Sequence, residues 1–456
     1  MTSLCLLLKQ VGLKVSGSDL AETFPTDEVL HKYKIPLKIG FQKSNLPANA
    51  DLVIVTGAHG GLTNIEAVEA KKRGIETLMH GQALGMVMDK ATGISIAGCH
   101  GKTTTTAMLA TILEYGGRNP SYAIGAASIN PLGAPGHFGH GEYFIAEADE
   151  YLTDPFSDKT PRFLWQNPKV AVVTNIEFDH PDAYANIDQV RSAFTKFSQK
   201  VPHSGLLVAG TDNPQVTKMI KTLSLPVATF GFSPQSEYQI KNTRPHDQKT
   251  YFHLSHQNID LGEFILQIPG KHNVLNAAAS IIVANFLGLS INKIKDGLHL
   301  FLGTKRRFEK IGDFGGVLLY DDYAHHPSEI IATLSAAKDF FAGRRIFVIF
   351  QPHTYSRTKA LLKDFARAFY ALDNITIITD IFPSSREIID KSYTSEVLVQ
   401  EILKYKNSAH FLPKKEDVLG FLEKNIRSGD IIFTMGAGDI YQWHQDILKL
   451  TPITYD

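Results

Sequence analysis

The chain has 456 residues, 43% hydrophobic and 20% charged, which is the balance of a folded protein too long for one ordinary core. Lysine plus arginine and aspartate plus glutamate stand at 46 each, which gives no footing for nucleic acid or an anionic membrane, and no apolar run nears the roughly 20 residues that span a bilayer. Two cysteines, Cys5 and Cys99, cannot make a disulfide framework and suit a reducing cytoplasm. The apolar residues 1–8 are followed rather than preceded by Lys9, unlike a signal peptide, so the expectation is a cytoplasmic enzyme of two or three domains.

In chain order, residues 3–10 have helical spacing and 14–19 read as a strand ending in a polar turn. Residues 51–57 read as a buried strand and 64–73 as a polar-faced helix. This alternation is α/β of the doubly wound kind. Such a unit normally opens on a strand and a Gly-rich turn; here a helix comes first, so the first domain is expected to lack its first strand.

The most informative stretch follows. An apolar, β-prone run at 94–97 enters Gly98-Cys99-His100-Gly101-Lys102-Thr103, which opens into a helix over 103–115 stopped by Gly116-Gly117. Glycines let backbone N–H groups approach a phosphate, and a helix N-terminus adds partial positive charge. Lys102 then reaches the outer phosphates and the Thr103 hydroxyl suits Mg²⁺. The strict G-x-x-x-x-G-K-[ST] pattern is not met, because Ile96 stands at its first glycine. A plain Gly-rich turn would leave the lysine and the hydroxyl unexplained.

Strands are expected next at 142–146, 170–175, 205–209 and 226–230. A hairpin-like insertion covers 231–266, and Gly270-Lys271-His272-Asn273 leads into an Ala-rich helix over 274–287. Glu147-Ala148-Asp149-Glu150 sets carboxylates at a strand's C-terminal end. One that faced Lys102 and Thr103 would give a hard cation an oxygen ligand; the bland alternative is a solvated loop. Thr174-Asn175-Ile176-Glu177-Phe178-Asp179-His180 repeats the arrangement, with His180 as a metal ligand, a phosphate contact or a structural histidine.

The last third carries strands at 317–320, 345–350, 375–380 and 431–435. Asp321-Asp322-Tyr323-Ala324-His325-His326 closes the first with two acids and two imidazoles. Asp322 suits a ribose hydroxyl or the orienting of a base, and His325 a phosphate or carboxylate. Gln351-Pro352-His353-Thr354-Tyr355-Ser356-Arg357 ends the next strand, and a planar guanidinium there suits a carboxylate. The residues by themselves describe an enzyme of ATP and Mg²⁺: a ligase, a kinase, or a switch or transport ATPase.

Taken together and in this order, the motifs resemble those of the Mur ligases of peptidoglycan synthesis, over residues 15–438. The resemblance implies a three-domain α/β fold. A Rossmann-like UDP-sugar-binding domain covers 1–92, a P-loop-like ATPase 93–304 and a Rossmann-like amino-acid domain 305–456. It implies ATP contacts at Gly98, His100, Gly101, Lys102, Thr103, Thr104, His272, Asn273, Asn276, Arg307, Asp322 and His325. Mg²⁺ would fall to Thr103, Glu147 and His180, and the amino acid to Tyr323, His353 and Arg357. Catalysis would rest on Lys102, Glu147, His180, Arg307 and Asp322. The implied reaction joins L-alanine to UDP-N-acetylmuramate through an acyl phosphate, in a monomer or homodimer with no nucleic-acid or membrane partner. Four features depart from the family pattern: the Gly-rich first strand-turn of the UDP-sugar domain is absent, Cys99 replaces a usual threonine, Thr354 stands where a cation is common, and the segment 151–167 is long. The opening of that segment resembles family members that attach a preformed peptide. A nucleotide-binding protein without ligase activity is the alternative of another class.

Overall fold

The computed structural model describes all residues except 23, 179–182, 371–372, 384–386, 388, 391, 407 and 454–456. Its contacts form two compact units. One holds Met1–Arg244, Lys249–Gln267 and His272–Thr304; the other holds Lys305–Asp456 with Pro245–Gln248 and Ile268–Lys271.

The first unit is built on a ten-stranded sheet with Thr92–Ala97 inside it. That strand runs parallel to Tyr143–Ala148 on one side and Val170–Val173 on the other. Ala97 is level with Ala148 and Val173, so the three strands end together. The chain goes from Thr92–Ala97 out to Ser121–Ala123, returns to Tyr143–Ala148 between them, then crosses to Val170–Val173 on the far side. This reversal of direction is a topological switch point, where loops leave the strand ends on diverging paths and open a crevice. Leu206–Gly210 and Val227–Gly231 continue the parallel run. All four residues of Val170–Val173 are buried, as in a strand covered on both faces. Phe163, Phe194 and Phe197 pack over Ala171 and Val173, Phe163 stacking on Phe197 at 4.7 Å.

The hairpin-like piece expected over 231–266 is three strands, Tyr238–His246, Lys249–His256 and Ile259–Leu266, that extend the same sheet at its edge. The period-two pattern there buries Phe252, Leu254, Phe264 and Leu266 on one side.

The N-terminal region opens on the helix Thr2–Gln10, which buries Leu4, Leu6 and Leu7. Its strands form two separate parallel pairs, Gly17–Asp19 with Leu37–Ile39 and Leu52–Val55 with Glu76–Met79. The expectation of a buried strand at 51–57 needs correction. Leu52 is 40% exposed and Val53, Ile54 and Val55 are half-buried, because the strand belongs to a sheet of two and lacks the cover of the central one. The long segment after Glu150 docks on this region. Leu152–Asp154 and Asp158–Pro161 form a hairpin, and Asp154 accepts the Leu62 amide at 3.1 Å. Glycine is required on the facing helix His80–Met88, since a Cβ on Gly85 would lie 2.1 Å from the Trp165 carbonyl oxygen.

The second unit has a six-stranded sheet ordered Glu309–Phe314, Val317–Asp322, Ile431–Met435, Ile346–Phe350, Ile375–Ile378 and Ala409–Phe411. Only the first pair is antiparallel. The last strand in sequence lies between the two earlier ones, which makes a second switch point and gathers the loops after Asp322, Phe350 and Met435. No described helix is long and apolar enough to cross a membrane.

Candidate active site

Three loops leave the level ends of the first sheet's central strands. The loop after Ala97 turns on Gly98 at φ +144° and Gly101 at φ +85°, backbone that a side chain rarely adopts. It is fastened from the neighbouring strand end. The His100 amide donates to Asn175 Oδ1 at 2.9 Å, and its carbonyl accepts from Asn175 Nδ2 at 2.9 Å and Thr174 Oγ1 at 2.7 Å. The Cys99 sulfur accepts the Glu177 amide at 3.1 Å, and His100 Nε2 lies 3.2 Å from Glu177 Oε2. Helix Lys102–Tyr115 then starts directly, so its first amides face out of the loop.

Two carboxylates meet the start of that helix. Thr103 Oγ1 donates to Glu147 Oε2 at 3.0 Å, while the Gly125 amide donates to Glu147 Oε1 at 2.5 Å. Burial pushes the Glu147 carboxyl above its ordinary range, and the charge of Asp149 adds to the effect. Lys102 Nζ donates to Glu150 Oε2 at 2.9 Å and to the Gly98 carbonyl at 2.6 Å. Burial works against its ammonium, but Glu150 and Asp149 outweigh that and raise its pKa, so the cation persists across the usable pH range. Thr103 and Glu147 offer oxygens from two elements, the donor chemistry a hard divalent cation takes. His180, expected as a third ligand, lies outside the described residues.

The far wall comes from the helix Lys271–Phe286, whose first turn carries His272 and Asn273. A Cβ on Gly101 would come 2.4 Å from Asn276 Oδ1, so glycine is needed there for close approach as well as for φ. Asn276 Nδ2 donates to Asn273 Oδ1 at 3.3 Å, and Ser280 Oγ to the Thr105 carbonyl at 3.2 Å. Thr104 is buried within the helix Lys102–Tyr115.

In the second unit, Asp322 is buried and spends both oxygens on backbone amides, Phe308 at 2.9 Å and Ala324 at 2.8 Å. Glu329 accepts the His325 amide at 3.0 Å and stands 3.2 Å from its Nδ1 and 3.4 Å from Arg307 Nη1. The His325 ring meets Tyr323 edge-on at 5.2 Å and His353 at 6.0 Å, and Arg357 Nη1 is 3.3 Å from His353 Nδ1. Thr354, at φ +71°, caps the helix Tyr355–Ala360 by accepting the Arg357 amide. Arg307, Asp322, Tyr323, His325, His353 and Arg357 are thus neighbours on one sheet end, as their motifs require.

Sequence reasoning passed over four residues that complete these constellations. Glu150 and Asn175 sat inside quoted motifs without a role. Arg306 adjoined one, and Glu329 gave no signal beyond its place two residues into the helix Pro327–Phe340.

Burial raises the Asp322 pKa to about 6 from an ordinary 3.8, against the opposing pull of Arg307 and the two amides. A carboxyl with the higher pKa in the folded state costs stability in full above pH 6. That cost fades as pH falls towards 3.8, below which both states are protonated. Asp322→Asn should therefore flatten the pH dependence of unfolding free energy across this window by up to about 3 kcal/mol. Urea unfolding of both proteins at several pH values measures it; identical slopes would contradict the assignment.

A glycine-bounded Gly-Lys-Thr loop at the switch point of a parallel sheet, with a carboxylate on its threonine, places the chain among α/β proteins built to hold nucleotide phosphates. Comparison narrows this. Residues 1–92 match the Mur ligase family catalytic domain, 96–284 the Mur ligase middle domain and 306–438 the Mur ligase glutamate ligase domain. The chain belongs to the Mur ligase family. It is 38% identical to the UDP-N-acetylmuramate–L-alanine ligase of Desulfitobacterium hafniense over 96% of this chain and 94% of that one. It is also 38% identical to the enzyme of the same name from a Geobacter species, over 98% and 94%. Among solved structures, the UDP-N-acetylmuramate–alanine ligase of Thermotoga maritima superposes with a TM-score of 0.81 at 26% identity, covering 98% of this chain and 96% of that one. A murein peptide ligase from Psychrobacter arcticus gives 0.72 at 25%, over 99% and 97%.

Proposed function

We propose that this chain joins L-alanine to UDP-N-acetylmuramate at the expense of ATP, in the supply of peptidoglycan precursors. The observation that carries the reading is near-full-length identity, 36–39%, to relatives bearing that activity in their names. The muramyl carboxylate attacks the γ-phosphorus of ATP, an O–P bond forms, and the bond to the β-phosphate oxygen breaks to release ADP. The amine of L-alanine then attacks the acyl carbon of the resulting acyl phosphate. The tetrahedral intermediate expels phosphate, and the nitrogen gives up its proton.

In this scheme the protein positions anions and offsets their charge. Lys102 stands on the outer phosphates, with Gly98, His100, Gly101 and Thr104 shaping the loop and His272, Asn273 and Asn276 on the adenine side. Thr103 and Glu147 would hold Mg²⁺, with His180 as the third ligand carried over from the family. When bound, the ion neutralises phosphate charge. Arg307, Asp322 and His325 serve the nucleotide from the C-terminal part, and Tyr323, His353 and Arg357 serve the amino acid. UDP-sugar, ATP and amino-acid domains at 1–92, 93–304 and 305–456 belong to this reading, as does a cytoplasmic monomer or homodimer without nucleic acid or membrane; family matches over 1–92, 96–284 and 306–438 support the three-domain part.

A second reading has a specific motive. The segment 151–167 is long, its opening at Glu147–Tyr151 resembles that of ligases that attach a preformed peptide, and a murein peptide ligase superposes on 99% of this chain. Phosphate release with L-alanine, glycine, L-serine and the tripeptide L-alanyl-γ-D-glutamyl-diaminopimelate decides between them. The proposal expects L-alanine to give the highest kcat/KM. Turnover with the tripeptide alone would replace it with the second reading, and none with any acceptor would favour a nucleotide-binding protein.

A further inference from the structure

Lys305-Arg306-Arg307 opens the second unit, and the two arginines meet opposite fates. Arg306 is held at φ +62° and Phe308 at φ +48°, so the backbone reverses handedness on either side of Arg307. The Arg306 side chain is 8% exposed and its fork is committed to the protein. Nε donates to Asp321 Oδ2 at 2.8 Å, Nη2 to the Gly436 carbonyl at 2.7 Å and Nη1 to the Gly438 carbonyl at 3.1 Å. Asp321 is anchored in turn by Thr434 Oγ1 at 2.7 Å and lies 3.5 Å from His444 Nε2. The guanidinium lies near two rings, 4.7 Å from the centre of Tyr441 and 5.2 Å from that of Tyr323.

The Tyr323 ring carries a second cation. The Arg307 guanidinium lies 5.2 Å from the same ring centre, and the Tyr323 amide donates to the Arg306 carbonyl at 2.7 Å. Arg307 is itself about one-third exposed, with Glu329 at its edge. A partly exposed arginine has many rotamers to lose, and a fixed aromatic face removes much of that freedom in advance.

We infer that Arg306 and Tyr323 are positioning residues for Arg307. The buried fork of Arg306 fixes the ring, and the ring holds the Arg307 guanidinium ready for the nucleotide. This rests on the nucleotide role proposed above for Arg307. Lysine cannot replace Arg306, because a single ammonium nitrogen cannot stand where three guanidinium nitrogens reach an acid and two carbonyls.

The test is a double-mutant cycle on the full-length protein, with kcat, KM for ATP, KM for L-alanine and melting temperature measured for each variant. Arg306→Lys should lower kcat/KM for ATP about tenfold, and Tyr323→Leu should do the same. Tyr441→Leu, which removes only the other ring near Arg306, should give a smaller fall in the same parameter, and it serves as the readout if Arg306→Lys does not fold. In an Arg307→Ala background each of these changes should cost less than twofold more, because the group they position is gone. Equal costs in both backgrounds would mean general structural damage and overturn the inference. So would ATP kinetics unmoved by Tyr323→Leu with a rise in KM for L-alanine alone, which would leave Tyr323 only the amino-acid role proposed above. Unchanged ATP kinetics in Arg307→Ala alone would instead remove the nucleotide role of Arg307, and with it the object of the inference.

Discussion

Lys102→Ala is expected to lower the rate of ADP formation by at least about 10³-fold, a loss in line with removing a charge aimed at a transferring phosphoryl group. The same change should destabilise the protein. Glu150 is 1% exposed as a side chain, and its hydrogen bond to Lys102 Nζ is 2.9 Å long. Removing the ammonium breaks a buried ion pair by taking away one partner, which typically costs about 3–5 kcal/mol. The two effects separate in Lys102→Ala/Glu150→Gln, where both charges of the pair are gone. That double variant should recover most of the lost stability while its activity stays at the level of the single one. Urea unfolding and ADP release measured on the same samples decide it. A double variant that regains activity, or a single one that turns over near normally, would remove Lys102 from the chemistry.

Gly98→Ala is expected to be comparably severe for a different reason. At φ +144° an alanine already pays for a disfavoured backbone, by about 1–3 kcal/mol. Its Cβ would also fall 1.9 Å from Thr174 Oγ1, closer than any non-bonded contact allows. The loop must then shift, and with it the amides at the start of the helix Lys102–Tyr115. Nucleotide affinity should fall at least about tenfold and stability by more than about 3 kcal/mol. Adding Thr174→Ala removes the obstructing oxygen, so Gly98→Ala/Thr174→Ala should regain part of the stability. A titration with a fluorescent ATP analogue and a melting curve suffice, and wild-type affinity in Gly98→Ala would show that the loop does not hold phosphate.

Much of this arrangement was legible in the residues. Val170–Val173 and Ile431–Met435 are short apolar runs bounded by polar groups, and they became strands within a residue or two of the expected limits. The glycine spacing around Lys102 reflects backbone that only glycine adopts readily, so loop and helix start were readable together. What stayed hidden depends on direction rather than identity. Glu147, Asp149 and Glu150 look alike in a string. The pleat aims Glu147 at Thr103 from inside its strand, whereas Glu150 reaches Lys102 from beyond the strand end. Two adjacent arginines look interchangeable until one positive φ sends Arg306 inward. The exposure of Leu52–Val55 was missed because an apolar run reports that a strand forms and not how many neighbours cover it.

The bond between Ser280 and Thr105 spans 175 residues of chain, and Asn276 reaches Gly101 from the same distant helix. During synthesis, the Gly-Lys-Thr loop therefore leaves the ribosome long before its far wall exists. At about 5–20 residues per second this delay lasts roughly 10–35 seconds, in which the loop has its strand and helix but not the asparagine that lines it. On the proposed function, the nucleotide pocket is unfinished until the helix Lys271–Phe286 has been made, and ATP is expected to stabilise the late folding steps of this unit rather than the early ones.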